Sequence, residues 1–200
     1  WRRFVQFFST VRYKRQNVGW GSFIDPSVHV IGWEQVRVGD HTSIGEGTFI
    51  NVNHRQKGVV GLAVGHNCFI GKRNFFTTGS RILIGDYCIT APGCSFLGAF
   101  HTYANPLIPY VLCPCSKEYA IEIGPNCFIG AGSTVMHGVS IGYGSVVGAA
   151  TVVNKDIPPM SLVVGNPGRV VKRFSMKTNS WISIEEYSSA DEMLLPGEEQ

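Results

Sequence analysis

The chain has no run of eighteen apolar residues, so no helix is expected to cross a membrane. Charge is sparse, with Asp, Glu, Lys and Arg making up 16% of 200 residues. No CxxC pair occurs, and no cysteine stands at zinc-ligand spacing from a histidine. Motifs of nucleic-acid-binding proteins are also missing, which leaves a basic balance of charge to suit a small anionic ligand rather than nucleic acid. The start, WRRFVQFFSTVRYKRQ, lacks the unbroken apolar stretch and small-residue cleavage site of a signal peptide.

The charge that is present is unevenly spread. All 17 Lys and Arg precede residue 178, with 8 acids before residue 185, giving 17 − 8 = +9 for the body. The last sixteen residues carry six acids and no base. Six cysteines, at positions 68, 88, 94, 113, 115 and 127, read as reduced thiols, and with them the expected compartment is cytoplasmic.

Glycine is abundant at 24 residues, and a repeat explains it. Aliphatic residues stand at Ile123, Ile129, Val135, Ile141, Val147 and Val153, six apart each time. The same beat runs through Val38, Ile44 and Ile50, through Val64, Ile70 and Phe76, and through Ile84, Thr90 and Phe96. Glycine often follows directly, as at Gly39, Gly45, Gly65, Gly71, Gly124, Gly130 and Gly142. A small residue comes about four positions on, as at Ser43, Cys68, Cys88, Cys94, Cys127, Ser133, Ser145 and Thr151. Neither a helix nor a plain strand has this period. A brief strand with two inward positions, followed by a glycine bend that accepts positive φ, does. Three such units close a triangular coil of about 18 residues, and about six stacked coils make a parallel β-solenoid. Four cysteines then serve as core filler.

Two segments break the beat, residues 51–63 (NVNHRQKGVVGLA) and 101–120 (HTYANPLIPYVLCPCSKEYA). Loops that leave a solenoid and rejoin it in frame are places for function. The chain therefore divides into an N-terminal arm over 1–22, a solenoid over 23–166, and a C-terminal cap and acidic tail over 167–200. Short helical or irregular caps are expected at both ends, Arg3–Arg15 and Arg169–Met176 being the candidates.

The stretch from Ile123 to Phe174 closely resembles the end of hexapeptide-repeat O-acetyltransferases of the galactoside, maltose and Nod-factor type, including polysaccharide O-acetyltransferases. The residues that carry it are the repeats, the turn Val153–Pro158 (VNKDIP) and Gly165–Arg169 (GNPGR). The match covers about residues 60–174. It implies an all-β, left-handed parallel β-helix, a homotrimer with active sites between subunits, and transfer of acetyl from acetyl-CoA to a hydroxyl of a sugar or glycan. Alternatives on the same fold are a xenobiotic-type acetyltransferase and a nucleotide-sugar N-acyltransferase, and outside enzymes a scaffolding solenoid. No metal is implied, since the metal-dependent class of this fold needs an HxxxxH pair that this sequence lacks.

A hydroxyl attacking a thioester needs a base, and histidine titrates in the right range. By the resemblance His101, at the mouth of the second insertion, is the general base. His54, in NVNHRQKG, resembles the catalytic loop of xenobiotic acetyltransferases and is the rival, otherwise an acceptor-side residue. Asn74 resembles an acceptor-binding asparagine, with support of a coil turn as the plain alternative. Lys155, Arg169 and Lys172 match cations that contact the cofactor's phosphates. Phe128 matches an aromatic beside it, and Ala131 and Ala149 lie where small residues admit the pantetheine arm. The remaining histidines, His29, His41, His66 and His137, fall at coil turns and receive no role.

Overall fold

The computed structural model describes residues 16–192. The basic arm expected to cap the first coil, Arg3–Arg15, lies outside them. Six coils follow one another. Coil one holds β1 (Phe23–Ile24), β2 (His29–Ile31) and β3 (Val36–Val38), and coil two β4 (Ser43–Ile44), β5 (Phe49–Val52) and β6 (Leu62–Val64). Coil three holds β7 (Phe69–Ile70), β8 (Phe75–Thr78) and β9 (Arg81–Ile84), and coil four β10 (Ile89–Thr90), β11 (Ser95–Leu97) and β12 (Ala120–Ile123). Coil five holds β13 (Phe128–Ile129), β14 (Thr134–Met136) and β15 (Ser140–Ile141). Coil six holds β16 (Val146–Val147), β17 (Val152–Val153) and a single bridge from Ile157 to Ile141.

Every third strand pairs in parallel with its counterpart one coil on, so the coils stack into a prism with three flat faces. The first face is β1-β4-β7-β10-β13-β16, the second β2-β5-β8-β11-β14-β17, and the third β3-β6-β9-β12-β15. Phe128 pairs with Val146, so coil five is the 18-residue unit that the period predicts. Pairing starts slightly earlier than the expected boundary at residue 23, because Val18 already bridges Val38 on the third face.

The period-six residues form the core. Ile50, Ile129, Val135, Val147, Val153 and Phe96 are fully buried, and Phe76 stacks on Phe96 with ring centroids 4.5 Å apart. Each such side chain stabilises the fold by about 1.5–3 kcal/mol through burial. The small inward slot lies two residues before each of these. Its side chain donates to a backbone carbonyl at the corner of the following coil: Thr42 to Gly65 at 2.7 Å, Cys88 to Gly124 at 3.2 Å, Cys127 to Gly142 at 3.2 Å and Ser133 to Gly148 at 2.8 Å. Thiol and hydroxyl thus do the same work, satisfying carbonyls that turn inward at each corner. In coil two the slot belongs to buried Thr42, and Ser43 faces outward.

The glycines that follow the aliphatics serve a purpose other than the expected bend. They are not among the residues of positive φ, which include instead the corner residues Asn67, Arg73, Tyr87, Asn126 and Ala150 and a second set of glycines. What they permit is close stacking: a Cβ on Gly130 would sit 2.6 Å from the Ala149 nitrogen, and one on Gly71 would sit 2.6 Å from the Thr90 carbonyl oxygen.

The C-terminal cap is β-structure rather than a helix. After β18 (Ser161–Val164) extends the first face, β19 (Arg169–Ser175) turns back antiparallel on it, and β20 (Ser180–Ser183) pairs with β19. Val170 and Val171 suit a strand, and the open edge of β18 supplies the partner that decides the matter. The acidic tail folds back on this hairpin as far as it is described. Asp191 accepts from the Ser175 hydroxyl at 2.6 Å and Glu192 pairs with Arg173 at 2.7 Å.

Candidate active site

Both insertions leave the prism at the same edge. Residues 53–61 join β5 to β6 and residues 98–119 join β11 to β12, each passing from the second face to the third. The turns of the next two coils at this edge carry His137 and Lys155. Sequence positions 54, 101, 137 and 155 are thereby drawn to one edge.

The second insertion is tied at its neck. Phe100 accepts from the Ser116 amide at 2.8 Å, Thr102 donates to Pro114 at 3.0 Å, and His101 bridges Cys115 in antiparallel fashion. His101 is exposed, and its Nδ1 lies 2.8 Å from the Cys113 carbonyl oxygen. A carbonyl only accepts, so Nδ1 carries the proton, and in the neutral ring Nε2 keeps the lone pair. That Nε2 lies 3.5 Å from the Cys115 sulfur. A cleft of about 520 Å³ opens in the same insertion, lined by Phe100, Tyr103, Cys115, Lys117, Glu118 and Tyr119 among others.

His54 is half-buried, and its Nε2 lies 2.9 Å from the Ser116 carbonyl oxygen. By the same reasoning this nitrogen donates, so His54 ties the first insertion to the second. The two rival histidines therefore grip one short segment from opposite ends, at Cys113 and Ser116.

His137 joins the site unannounced. Its ring stacks on Phe100 at 4.2 Å and contacts Tyr119 at 5.0 Å, and its buried Nδ1 has no partner among the described residues. A solvent-facing turn was the expectation, but the aromatics of the insertion one coil back cover it. The signal was available in the frame, because His137 follows a second-face strand as His101 does.

Of the other expected residues, Lys155 alone shares this edge. Asn74 is a correction: it is 1% exposed and fills the small inward slot of coil three, donating to the Gly71 carbonyl at 2.7 Å. From there it presents no surface to an acceptor, and it is the turn support that was the plain alternative. Ala131 and Ala149 are exposed at the edge between first and second faces, and Phe128 is 43% exposed on the first face. Arg169 and Lys172 are exposed on β19, and Lys155 is exposed at the insertion edge. None of these three cations forms an ion pair among the described residues. No cluster of His, Cys, Asp and Glu among the described residues would hold a metal ion.

A six-residue period wound into three parallel faces, with loops thrown out at one edge, defines a left-handed parallel β-helix of hexapeptide repeats. Residues 120–155 match the family described as the hexapeptide repeat of succinyl-transferase. A provisionally named acetyltransferase of Staphylococcus aureus (strain Mu50) is 42% identical over 113 residues, 56% of this chain and 55% of its own length. A chloramphenicol acetyltransferase of Klebsiella aerogenes is 30% identical over 108 residues, 46% of this chain and 51% of its own. The chain thus spans about half the length of the curated relatives it matches. Among solved structures, a hexapeptide-repeat acetyltransferase of Vibrio cholerae complexed with acetyl coenzyme A superposes with a TM-score of 0.54 at 26% identity, covering 80% of this chain and 73% of that one. AntD, an N-acyltransferase from Bacillus cereus in complex with dTDP and 3-hydroxybutyryl-CoA, gives 0.68 at 19% identity, covering 81% and 85%.

Proposed function

We propose that the protein is an acetyl-CoA-dependent O-acetyltransferase whose acceptor is a hydroxyl of a sugar or glycan precursor. The observation that carries this reading is the state of His101. A backbone carbonyl fixes its tautomer, the residue is exposed, and its chain neighbours Phe100 and Thr102 line an aromatic-walled cleft. The Nε2 of such a ring accepts the proton of an attacking hydroxyl and returns it to the leaving thiolate. Tyr103 and Tyr119 offer flat apolar surface to a sugar ring. His54 has its Nε2 committed to Ser116 and is half-buried, which suits positioning of the insertion better than proton transfer. The xenobiotic-type reading, which requires His54 as base, is the weaker for it.

The acyl donor is polyanionic at one end, and Lys155, Arg169 and Lys172 are exposed cations without carboxylate partners. Ala131 and Ala149 leave the edge between first and second faces open to an extended pantetheine arm. This edge and the one that holds His101 are different edges of a single prism. A homotrimer, in which the His101 edge of one copy faces the alanine edge of the next, joins the two halves of the site. The experiment is a melting shift with acetyl-CoA followed by a screen of sugar and glycan hydroxyls for release of CoA thiol. Stabilisation by acetyl-CoA with no thiol release on any hydroxyl, but release on amino sugars, would transfer the reading to N-acylation.

A further inference from the structure

The six cysteines fall into two populations. Cys68, Cys88, Cys94 and Cys127 are at most 3% exposed and serve the coil corners. Cys113 and Cys115 stand outside the prism in the second insertion and are partly exposed. Of these, Cys115 alone meets an imidazole nitrogen: its Sγ lies 3.5 Å from His101 Nε2, the nitrogen left without a proton when Nδ1 donates to the Cys113 carbonyl. Cys113 is placed differently, its Sγ lying 3.8 Å from the Pro109 carbonyl oxygen. A thiol, a base within its reach and a third group that orients the base are the parts of an activated sulfur nucleophile. Cys115 is also one of the residues lining the cleft of about 520 Å³, whose wall carries Lys117 and Glu118, one charge of each sign.

We propose that Cys115 is a nucleophilic thiol and the site of a reversible mixed disulfide with a small zwitterionic peptide thiol of the glutathione class. His101 Nε2 takes the Cys115 proton, and the thiolate attacks one sulfur of the low-molecular-weight disulfide. A new S–S bond joins Cys115 to that sulfur, the old S–S bond breaks, and the departing thiolate takes the proton from His101. A free thiol reverses the step by the same exchange. The adduct then stands against His101 Nε2 and occupies the place of an acceptor hydroxyl, so the modified protein is silenced. Silencing rests on the reading of His101 as the base, whereas the modification itself does not.

The test exposes the native full chain to glutathione disulfide at neutral pH and follows intact mass and peptide maps. One glutathionyl group is expected on Cys115 in the wild type and in Cys113→Ser, none in Cys115→Ser, and removal by dithiothreitol. In His101→Asn, whose amide takes the Nδ1 position opposite the Cys113 carbonyl, the rate is expected to fall about tenfold or more. Equal modification of Cys113 or of the core thiols overturns the proposal. So does a Cys113–Cys115 disulfide in place of the adduct, or a rate in His101→Asn equal to that of the wild type. Melting curves of each variant establish that the solenoid is intact. Acyl transfer is measured in parallel before and after modification. Absence of transfer in the unmodified protein would count against the base reading alone, while a modified protein that transfers at the full rate would refute the silencing.

Discussion

Replacing His101 by alanine tests the proposed chemistry most directly, with His54→Ala as its counterpart. If His101 accepts the hydroxyl proton in the transition state, its loss removes general-base catalysis, worth about 10² to 10⁴ in rate. At about 1.36 kcal/mol per decade this is about 2.7–5.4 kcal/mol of transition-state stabilisation. His54 contributes one hydrogen bond, to the Ser116 carbonyl at 2.9 Å. A net hydrogen bond is worth about 0.5–1.5 kcal/mol, so its loss should cost about twofold to about tenfold through looser placement of the insertion. The two variants should therefore differ by at least an order of magnitude. Initial rates of CoA thiol release, at saturating acetyl-CoA with an acceptor found by screening, measure both. The melting shift given by acetyl-CoA should be unchanged in His101→Ala, since that side chain is assigned to the acceptor and not to the donor's phosphates. Turnover abolished by His54→Ala but retained within tenfold by His101→Ala would refute the reasoning and transfer the base to the first insertion.

Four further outcomes follow from the same structure. Lys155→Ala and Arg169→Ala should each raise KM for acetyl-CoA several-fold with kcat nearly unchanged, because phosphate contacts bind ground and transition states alike. Phe96→Ala, which empties half of the buried Phe76–Phe96 stack, should cost about 3–5 kcal/mol, read as a lower urea midpoint at unchanged slope. Burial pushes the Cys94 thiol up to about 11 from an ordinary value of 9.0. The unfolded thiol therefore ionises first, so the Cys94 contribution is whole below about pH 9 and is lost as pH climbs towards about 11, a slope that Cys94→Ser should reduce in urea titrations across that window. Hydrogen bonds from the Ser175 and Ser188 hydroxyls hold the Asp191 carboxyl below its ordinary value, so its hold on the C-terminal hairpin is whole above that value and fades as pH falls through the folded one. Hydrogen exchange of β20 should accelerate in Asp191→Asn at neutral pH, and at low pH the difference from wild type should shrink.

The solenoid was legible because its information is local and repeated. Ile129, Val135, Ile141, Val147 and Val153 announce six-residue units, and a unit with one buried aliphatic cannot shelter it alone, so stacking follows. The same arithmetic already contained Asn74, four residues after Ile70 and two before Phe76, in the slot of the core cysteines. Reading it as an acceptor residue set a resemblance above the frame. The glycines after the aliphatics depart from the expected bend for another reason. Sequence shows that a residue without a side chain is required, but the closeness of the next coil, 2.6 Å from a Cβ on Gly130, is a tertiary distance.

What the sequence determined by itself is the period, the number of coils, the two insertions and the inward side chains, all of which repeat within a few residues. What only the tertiary structure decided is which distant residues meet. The insertions leave at one edge because each follows a second-face strand, and that brings His54 onto Ser116 and His137 under Phe100. The cap became a hairpin because β18 offered an open edge, which is a property of the folded sheet and of no local stretch. Cys115 reads as one more small residue until the neck of the insertion closes and sets its sulfur against His101. Contacts between segments far apart in the chain carry no periodic signature, and in this protein they assemble the site.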